Sequence, residues 1–133
     1  MFLLDTNVVS ELRKMRPHGA VLAWVKSKKE TELFISAVTL GELQAGVELT
    51  RAHDRVKVEQ IEEWVDRVAN SFQILPMDAA TFRECGRLMH KRSDALYEDA
   101  MIAATARVHR LKVATRNIRD FGIFDVPVLN PFV

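Results

Sequence analysis

Short apolar runs alternate with amphipathic, helix-like segments along the whole chain, and this alternation restricts the fold more than any other feature. Runs typical of buried strands occur at residues 2–4, 32–38, 73–76, 112–115 and 127–129. No hairpin dipeptide such as Asn-Gly joins neighbouring runs, so helices would connect the strands, as they do in parallel sheets. The pattern therefore predicts an α/β fold with a mainly parallel sheet.

Helices are predicted wherever apolar residues recur every three or four positions. The clearest case is the segment 54–71, in which one apolar face runs from Val58 to Val68. Asp78 is a typical N-cap for the helix that follows the third strand. Further helices are expected over residues 8–14, over 18–29, from Thr39 onwards, and over 97–110.

Length and composition indicate one ordered domain. The 133 residues are enough for a single core, so we expect one domain over residues 1–133. Apolar residues make up 48% of the chain, which argues against disorder. No apolar run approaches the ~18 residues that span a bilayer, and Asp5 interrupts the apolar start too early for a signal peptide. The single cysteine, Cys85, excludes an intrachain disulfide, and its mid-helix position predicts a buried thiol, so a reducing, cytoplasmic compartment is expected.

Four acidic residues follow strands or open helices in this pattern, namely Asp5, Glu42, Asp99 and Asp120. Parallel sheets carry their sites beyond the carboxyl ends of the strands, so the fold would bring these carboxylates to one edge. Together they would repel one another and raise their own pKa values unless a cation neutralised them. Oxygen ligands suit Mg²⁺ or Mn²⁺, and no Cys/His spacing suggests zinc.

Each of the four also has a purely structural explanation. Asp5 could cap the first helix, although Asn7 could do so equally well. Thr39 and Glu42 fit a capping box. Asp99 opens an alanine-rich helix that can approach the sheet closely, but it could be an ordinary solvated first-turn residue, and the fourth could be a turn residue.

The net charge of +1 conceals an uneven distribution. Between residues 83 and 119 there are nine basic residues and four acidic ones. Basic side chains hold a polyanionic backbone, while a divalent cation activates water and stabilises the pentacoordinate phosphorus of a hydrolysis reaction. An acidic metal site beside a basic stretch therefore predicts the cleavage of phosphodiester bonds.

Four short blocks, in order, resemble those of the PIN-domain ribonucleases and, among them, the VapC toxins of VapBC toxin–antitoxin pairs in the FitB-like branch. The blocks are Leu3–Ser10, Ile35–Gly46, Asp99–Ala106 and Val113–Phe121. The ending Val128–Phe132 is also similar. The resemblance therefore extends over almost the whole chain.

The resemblance implies a single PIN domain with a three-layer α/β/α fold and a mainly parallel five-stranded sheet. It also implies a Mg²⁺-dependent endoribonuclease in which Mn²⁺ can substitute for Mg²⁺. The expected partners are an RNA substrate, an inhibitory VapB-type antitoxin and a second copy of the chain, while promoter DNA would be contacted only through the antitoxin. The resemblance does not indicate which RNA is cut.

The same resemblance assigns roles to residues. Asp5 and Asp99 become metal ligands, and Glu42 becomes a third ligand or the residue that orients the attacking water. The fourth acidic position falls on Asp120, because its alternative position holds an asparagine here. The residues that would support Asp5 or contact the metal's water shell or the phosphate are Thr6, Asn7, Thr115 and Asn117. Glu98 is expected to point to a different face from Asp99.

Three other interpretations use the same residues. An aspartyl-phosphate phosphatase would need a second carboxylate two positions after Asp5, where the chain has Asn7. A phospho-receiver module would need an acidic pair near the first strand, which the sequence lacks. A catalytically weak PIN-fold module could act mainly by binding, within a DNA-bound antitoxin complex. The surplus apolar residues that could form a docking surface for a partner are Val21, Leu22, Trp24 and Val25.

Overall fold

The computed structural model describes residues 1–133 and contains one sheet of five parallel strands. The strands are β1 (Phe2–Leu4), β2 (Leu33–Ser36), β3 (Gln73–Leu75), β4 (Lys112–Ala114) and β5 (Val128–Leu129). Their spatial order is β3-β2-β1-β4-β5, and the register aligns Leu3 with Phe34 on one side and Val113 on the other. The predicted α/β fold with a parallel five-stranded sheet is therefore confirmed.

Seven helices connect or flank the strands. They are α1 (Thr6–Glu11), α2 (Gly19–Lys26), α3 (Ala37–Arg51), α4 (Arg55–Ser71), α5 (Ala79–Leu88), α6 (Tyr97–His109) and α7 (Ile118–Gly122). Single 3₁₀ turns occupy Glu30–Glu32 and Asp94–Leu96. None of the helices combines the length and the apolarity needed to cross a membrane.

The strand residues alternate between two hydrophobic layers, which makes the fold a three-layer α/β/α arrangement. Leu3 and Val113 pack on one face of the sheet against α5, α6 and α7. Leu4 and Ile35 pack on the other face against α1, α2 and α4. Because neighbouring strand side chains point to opposite faces, a strand buried on both sides is apolar throughout, and β1 fits this pattern.

The pair formed by α3 and α4 extends the second layer. Asp54 caps α4, and its side chain accepts hydrogen bonds from the backbone N–H groups of Val56 (3.1 Å) and Lys57 (3.0 Å). A small separate core of Val47, Val58 and Val65 holds the two helices together. This packing confirms the amphipathic face predicted for the segment 54–71.

Several local predictions were wrong. The first helix begins at Thr6 instead of Val8, and the second ends at Lys26, because the predicted boundaries rested only on periodicity. Of the four residues considered as a docking surface, Val21 is fully buried and Leu22, Trp24 and Val25 are half-buried, with the Trp24 ring 5.0 Å from that of Phe2 in an edge-to-face contact. The docking surface itself stays a prediction. The predictions of a buried Cys85 and of Asp78 as an N-cap are confirmed.

Candidate active site

Polar side chains collect where the three central strands end. Asp5 follows β1 directly, Thr115 follows β4 directly, and α3 carries Glu42 away from the end of β2. The first turn of α6 places Asp99 against the same edge, where its pKa responds to the charge of Asp5. The order β2-β1-β4 therefore gathers carboxylates that are far apart in the sequence.

Asp5 is held by three hydrogen bonds and is only 5% exposed. One oxygen, Oδ1, accepts from the backbone N–H of Thr6 at 2.8 Å, so Asp5 is the N-cap of α1. The other, Oδ2, accepts from Thr115 Oγ1 at 2.8 Å and from Asn7 Nδ2 at 3.2 Å. Burial raises the pKa of Asp5, and the hydrogen bonds from Thr115 and Thr6 oppose this rise. The expectation that Asn7 could take over the capping is wrong, since Asn7 lies inside the helix and supports Asp5.

Residues after β4 form a hydrogen-bonded network around Thr115. The hydroxyl of Thr115, which is fully buried, accepts from the backbone N–H of Asn117 at 2.9 Å. The side chain of Asn117 donates to Asp120 Oδ2 at 2.8 Å, and Asn7 Oδ1 accepts from the backbone N–H of Arg116 at 3.3 Å. Asn117 thus orients the carboxylate of Asp120. These two residues, which the sequence analysis considered as alternatives for the fourth acidic position, are in contact.

Glu42 is tied to α1 by a hydroxyl group. Thr6 Oγ1 donates to Glu42 Oε1 at 2.8 Å and lies 3.0 Å from Thr39 Oγ1. The predicted capping box of Thr39 and Glu42 is wrong, because α3 begins two residues earlier than expected. Ser36 caps it instead, and the Ser36 hydroxyl accepts from the backbone N–H of Val38 at 3.1 Å. Both residues of the supposed box therefore face the site.

Glu98 is a site residue that the sequence reasoning placed on another face. Its carboxylate lies close enough to Glu42 to raise the pKa of that residue. The pKa of Glu42 is raised to about 7, chiefly by burial and further by Glu98 and the charge of Asp5, while the hydrogen bond from Thr6 opposes the rise. Two adjacent residues can both reach a site when the N-terminus of their helix points toward it. The acidic pair Glu98-Asp99 at the start of α6 could therefore have predicted that Glu98 lies at the site.

Asp99 completes the group, for which we use the name carboxylate cluster. Burial, followed by the charges of Asp5, Asp120 and Glu98, raises the pKa of Asp99 to about 6. The alanines of α6 explain the burial, because small residues let this helix approach the sheet closely, as predicted. The members of the carboxylate cluster are Asp5, Glu42, Glu98, Asp99 and Asp120.

The carboxylate cluster fits a hard divalent cation by the chemistry of its donors. All its ligand atoms are carboxylate oxygens, which Mg²⁺ and Mn²⁺ prefer. Burial, together with neighbouring negative charge, raises the pKa values of Glu42 and Asp99, and a cation would offset this cost of their ionised forms. No three His, Cys, Asp or Glu side chains lie close enough to enclose an ion by themselves. Because Mg²⁺ keeps several water ligands, it could bind one or two of these carboxylates directly and be held by the others through water.

Basic residues near the site divide into bound and free ones. The Arg116 guanidinium lies 3.8 Å from the centre of the Phe132 ring and remains exposed beside Thr115. Arg107 instead pairs with Glu84 at 3.3 Å and donates to the carbonyl oxygen of Asp125 at 2.6 Å. Part of the positive charge counted between residues 83 and 119 therefore stabilises the fold.

The three-layer fold and the acidic edge of its sheet are those of a known class of protein. The family model of the PIN domain matches residues 2–125, and the chain belongs to this family. Two full-length relatives are each 36% identical to it. VapC ribonuclease Y4jK of Sinorhizobium fredii aligns over 99% of this chain and 98% of its own, and Toxin FitB of Neisseria gonorrhoeae over 99% of both.

A solved structure resembles the structure of this protein over the whole chain. The structure of FitAB bound to an IR36 DNA fragment superposes with a TM-score of 0.87 at 33% identity, covering 100% of this chain and 96% of the other. The PIN family membership predicted from the four sequence blocks is confirmed.

Proposed function

We propose that the protein is a metal-dependent endoribonuclease that acts in the cytoplasm as the toxin of a type II toxin–antitoxin pair, with residues 1–133 forming a single PIN domain. The observation that carries the proposal is the carboxylate cluster at the ends of β1, β2 and β4, in a chain 36% identical to a VapC ribonuclease and to a toxin. Neighbouring carboxylates at a partly buried edge are costly in their charged forms unless a cation neutralises them.

Asp5, Asp99 and Glu42 are the residues that would hold Mg²⁺ or Mn²⁺. The ion would neutralise the carboxylates and polarise a water molecule and the phosphate oxygens. Thr115, Thr6 and Asn7 fix the orientation of Asp5 through the hydrogen bonds described above. This fixed geometry keeps the two oxygens of Asp5 in place without reorganisation during the reaction.

Glu42 and Asp120 take the remaining roles in this scheme. Glu42, held by the Thr6 hydroxyl at 2.8 Å, would either be a further ligand of the ion or orient the attacking water. Asn117 orients Asp120, which would bind the ion's water shell, while Thr115, which is buried, would act through Asp5 by holding its Oδ2.

The partners follow from the same comparison. We propose that a small VapB-type antitoxin inhibits the enzyme and links it to promoter DNA, in line with the DNA-bound FitAB complex, and that the toxin is a homodimer in this assembly. Size-exclusion chromatography with light scattering would measure the mass of the toxin alone. A mass of one chain at micromolar concentration would contradict the dimer.

The decisive experiment compares Asp5→Asn and Asp99→Asn with Asp66→Asn, an exposed control on α4. In the presence of Mg²⁺, cleavage of total RNA should fall about 100-fold or more for both site variants, since a lost cation contact costs several kcal/mol of transition-state stabilisation. The control should cleave like the wild type. Unchanged cleavage by either site variant would contradict the assignment.

A further inference from the structure

A groove adjoins the carboxylate cluster between α1 and the α3–α4 pair. Its volume is about 340 Å³, and we call it the Trp64 groove, lined among others by Thr6, Arg13, Glu42, Gly46, Ile61 and Trp64. Thr6 and Glu42 belong both to this groove and to the candidate active site, where they are joined by a 2.8 Å hydrogen bond. The groove is therefore continuous with the place where a bond would be cut.

The lining of the Trp64 groove combines an apolar floor with a polar rim. Leu43, Ile61 and Trp64 are half-buried and supply flat, apolar surface. The hydroxyl groups of Ser10 and Thr50 lie on the rim. Sites for single small ligands have volumes of roughly 300–1,000 Å³ and this composition of apolar walls with a few polar groups.

Arg13 gives the groove a free cationic donor. Its neighbour Lys14 pairs with Glu11, and Arg51 across the groove pairs with Glu48 and Glu62. Arg13 is exposed and makes none of the salt bridges of the chain. Its guanidinium can therefore donate to acceptor atoms on the edge of a bound planar group.

We propose that the Trp64 groove binds one unstacked nucleobase of the RNA, next to the bond that is cleaved. This inference rests on the proposed ribonuclease function and names the subsite that would select a nucleotide beside the cut. Single-stranded RNA is recognised by aromatic faces on which bases pack and by donors to their edges, and the groove offers Trp64 and Arg13 for these two contacts. Because Thr6 and Glu42 line the groove, the bound base would adjoin the carboxylate cluster.

Gly46 allows the groove to be filled without damage to the fold. A Cβ atom at this position of α3 would meet no atom within 4 Å, so Gly46→Leu projects into open groove space and favours the helix. Gly41 lies on the same helix, is equally open and does not line the groove. Gly41→Leu is therefore the matched control.

The test uses a short single-stranded RNA that the protein cuts at one mapped bond, together with versions that carry an abasic nucleotide on either side of that bond. One abasic version should lower kcat/KM about 10- to 100-fold for the wild type, the range expected for one stacked base. Gly46→Leu should lower kcat/KM on intact RNA by a similar factor and change it less than about twofold on that abasic RNA. Gly41→Leu should behave like the wild type on both.

Three results would overturn the proposal. Gly46→Leu could cleave intact RNA as the wild type does, or it could lose the same factor on intact and abasic RNA. It could also cleave normally but bind a protein antitoxin less tightly, which would assign the groove to the protein partner. Arg13→Ala provides a second variant, expected to lose activity on intact RNA only. If the wild type cuts no RNA with Mg²⁺ or Mn²⁺, the proposed function itself fails, a result distinct from the first three.

Discussion

Replacing Asp99 by asparagine should stabilise the metal-free protein at alkaline pH. The pKa of Asp99 rises from 3.8 to about 6 through burial and through the charges of Asp5, Asp120 and Glu98, with no contribution from a hydrogen bond. Asparagine has nearly the shape of the protonated carboxyl group, so Asp99→Asn removes the charge and leaves the packing in place.

The magnitude follows from linkage between protonation and folding. A raised folded-state pKa means that stability is fully present below pH 3.8 and is lost as the pH rises through about 6. At about 1.4 kcal/mol for each pH unit between the two values, the loss at pH 8 is at most about 3 kcal/mol. Solvent screening of this partly exposed side chain and the favourable N-terminus of α6 reduce it to about 1–2 kcal/mol.

Urea unfolding in EDTA, at pH 5 and at pH 8, measures this difference. The free energy of unfolding of Asp99→Asn should exceed that of the wild type by about 1–2 kcal/mol at pH 8 and by clearly less at pH 5. Asp66→Asn should follow the wild type at both pH values. Two results would refute the conclusion that burial and neighbouring charges penalise the ionised Asp99. The variant could unfold like the wild type at pH 8, or it could be more stable than the wild type by the same amount at pH 5 and pH 8.

Four further outcomes are expected. EDTA should abolish RNA cleavage, and added Mg²⁺ or Mn²⁺ should restore it; cleavage that persists in chelator would contradict the metal site. In the metal-free protein, the free energy of unfolding should fall between about pH 4.5 and pH 8, because the pKa of Glu42 is raised to about 7 and its ionised form is disfavoured in the fold. Urea titrations of Glu42→Gln should show a smaller fall over the same pH range. Thr115→Val removes a buried hydrogen bond to Asp5 and should lower the free energy of unfolding by about 1–3 kcal/mol, measured by the same method. Arg116→Gln should weaken RNA binding and reduce the slope of log affinity against log salt by about one, which a filter-binding titration would detect.

The strands and the long helices could be predicted because their apolar periodicity extends over several turns. The five-residue helix α7 was missed, since Asn117, Asp120 and Gly122 are residues typical of a turn and one helical turn is too short to show a period. Burial of Phe121 beneath this turn is what fixes it as a helix. Helix starts shifted by two residues for a similar reason, because a cap depends on hydrogen bonds that periodicity does not describe.

The candidate site could be predicted in outline and not in its contacts. Because parallel strands end at one edge of the sheet, Asp5, Glu42, Asp99 and Asp120 were expected to lie near one another, and they do. Their catalytic roles stay predictions. It could not show that the Thr6 hydroxyl joins α1 to Glu42, since that contact depends on the rotation of both helices. The same rotation brings Glu98 against Glu42, which helical spacing alone assigned to another face.

The carboxylate cluster also bears on whether the protein acts as an enzyme or mainly as a binding module in an antitoxin complex. A protein that acted only by binding would fold more stably with glutamine in place of Glu42 and asparagine in place of Asp99. The raised pKa values of these two residues show that their negative charge is unfavourable in the folded, metal-free protein at neutral pH. The hydrogen bonds from Thr115 and Asn7 nevertheless hold Asp5 with an acceptor oxygen at the same edge. Asp5 also caps α1, and these hydrogen bonds stabilise the fold, so they are compatible with either role. In the proposed function, a bound cation would offset the cost of the charged Glu42 and Asp99, which a protein-binding surface alone would not require.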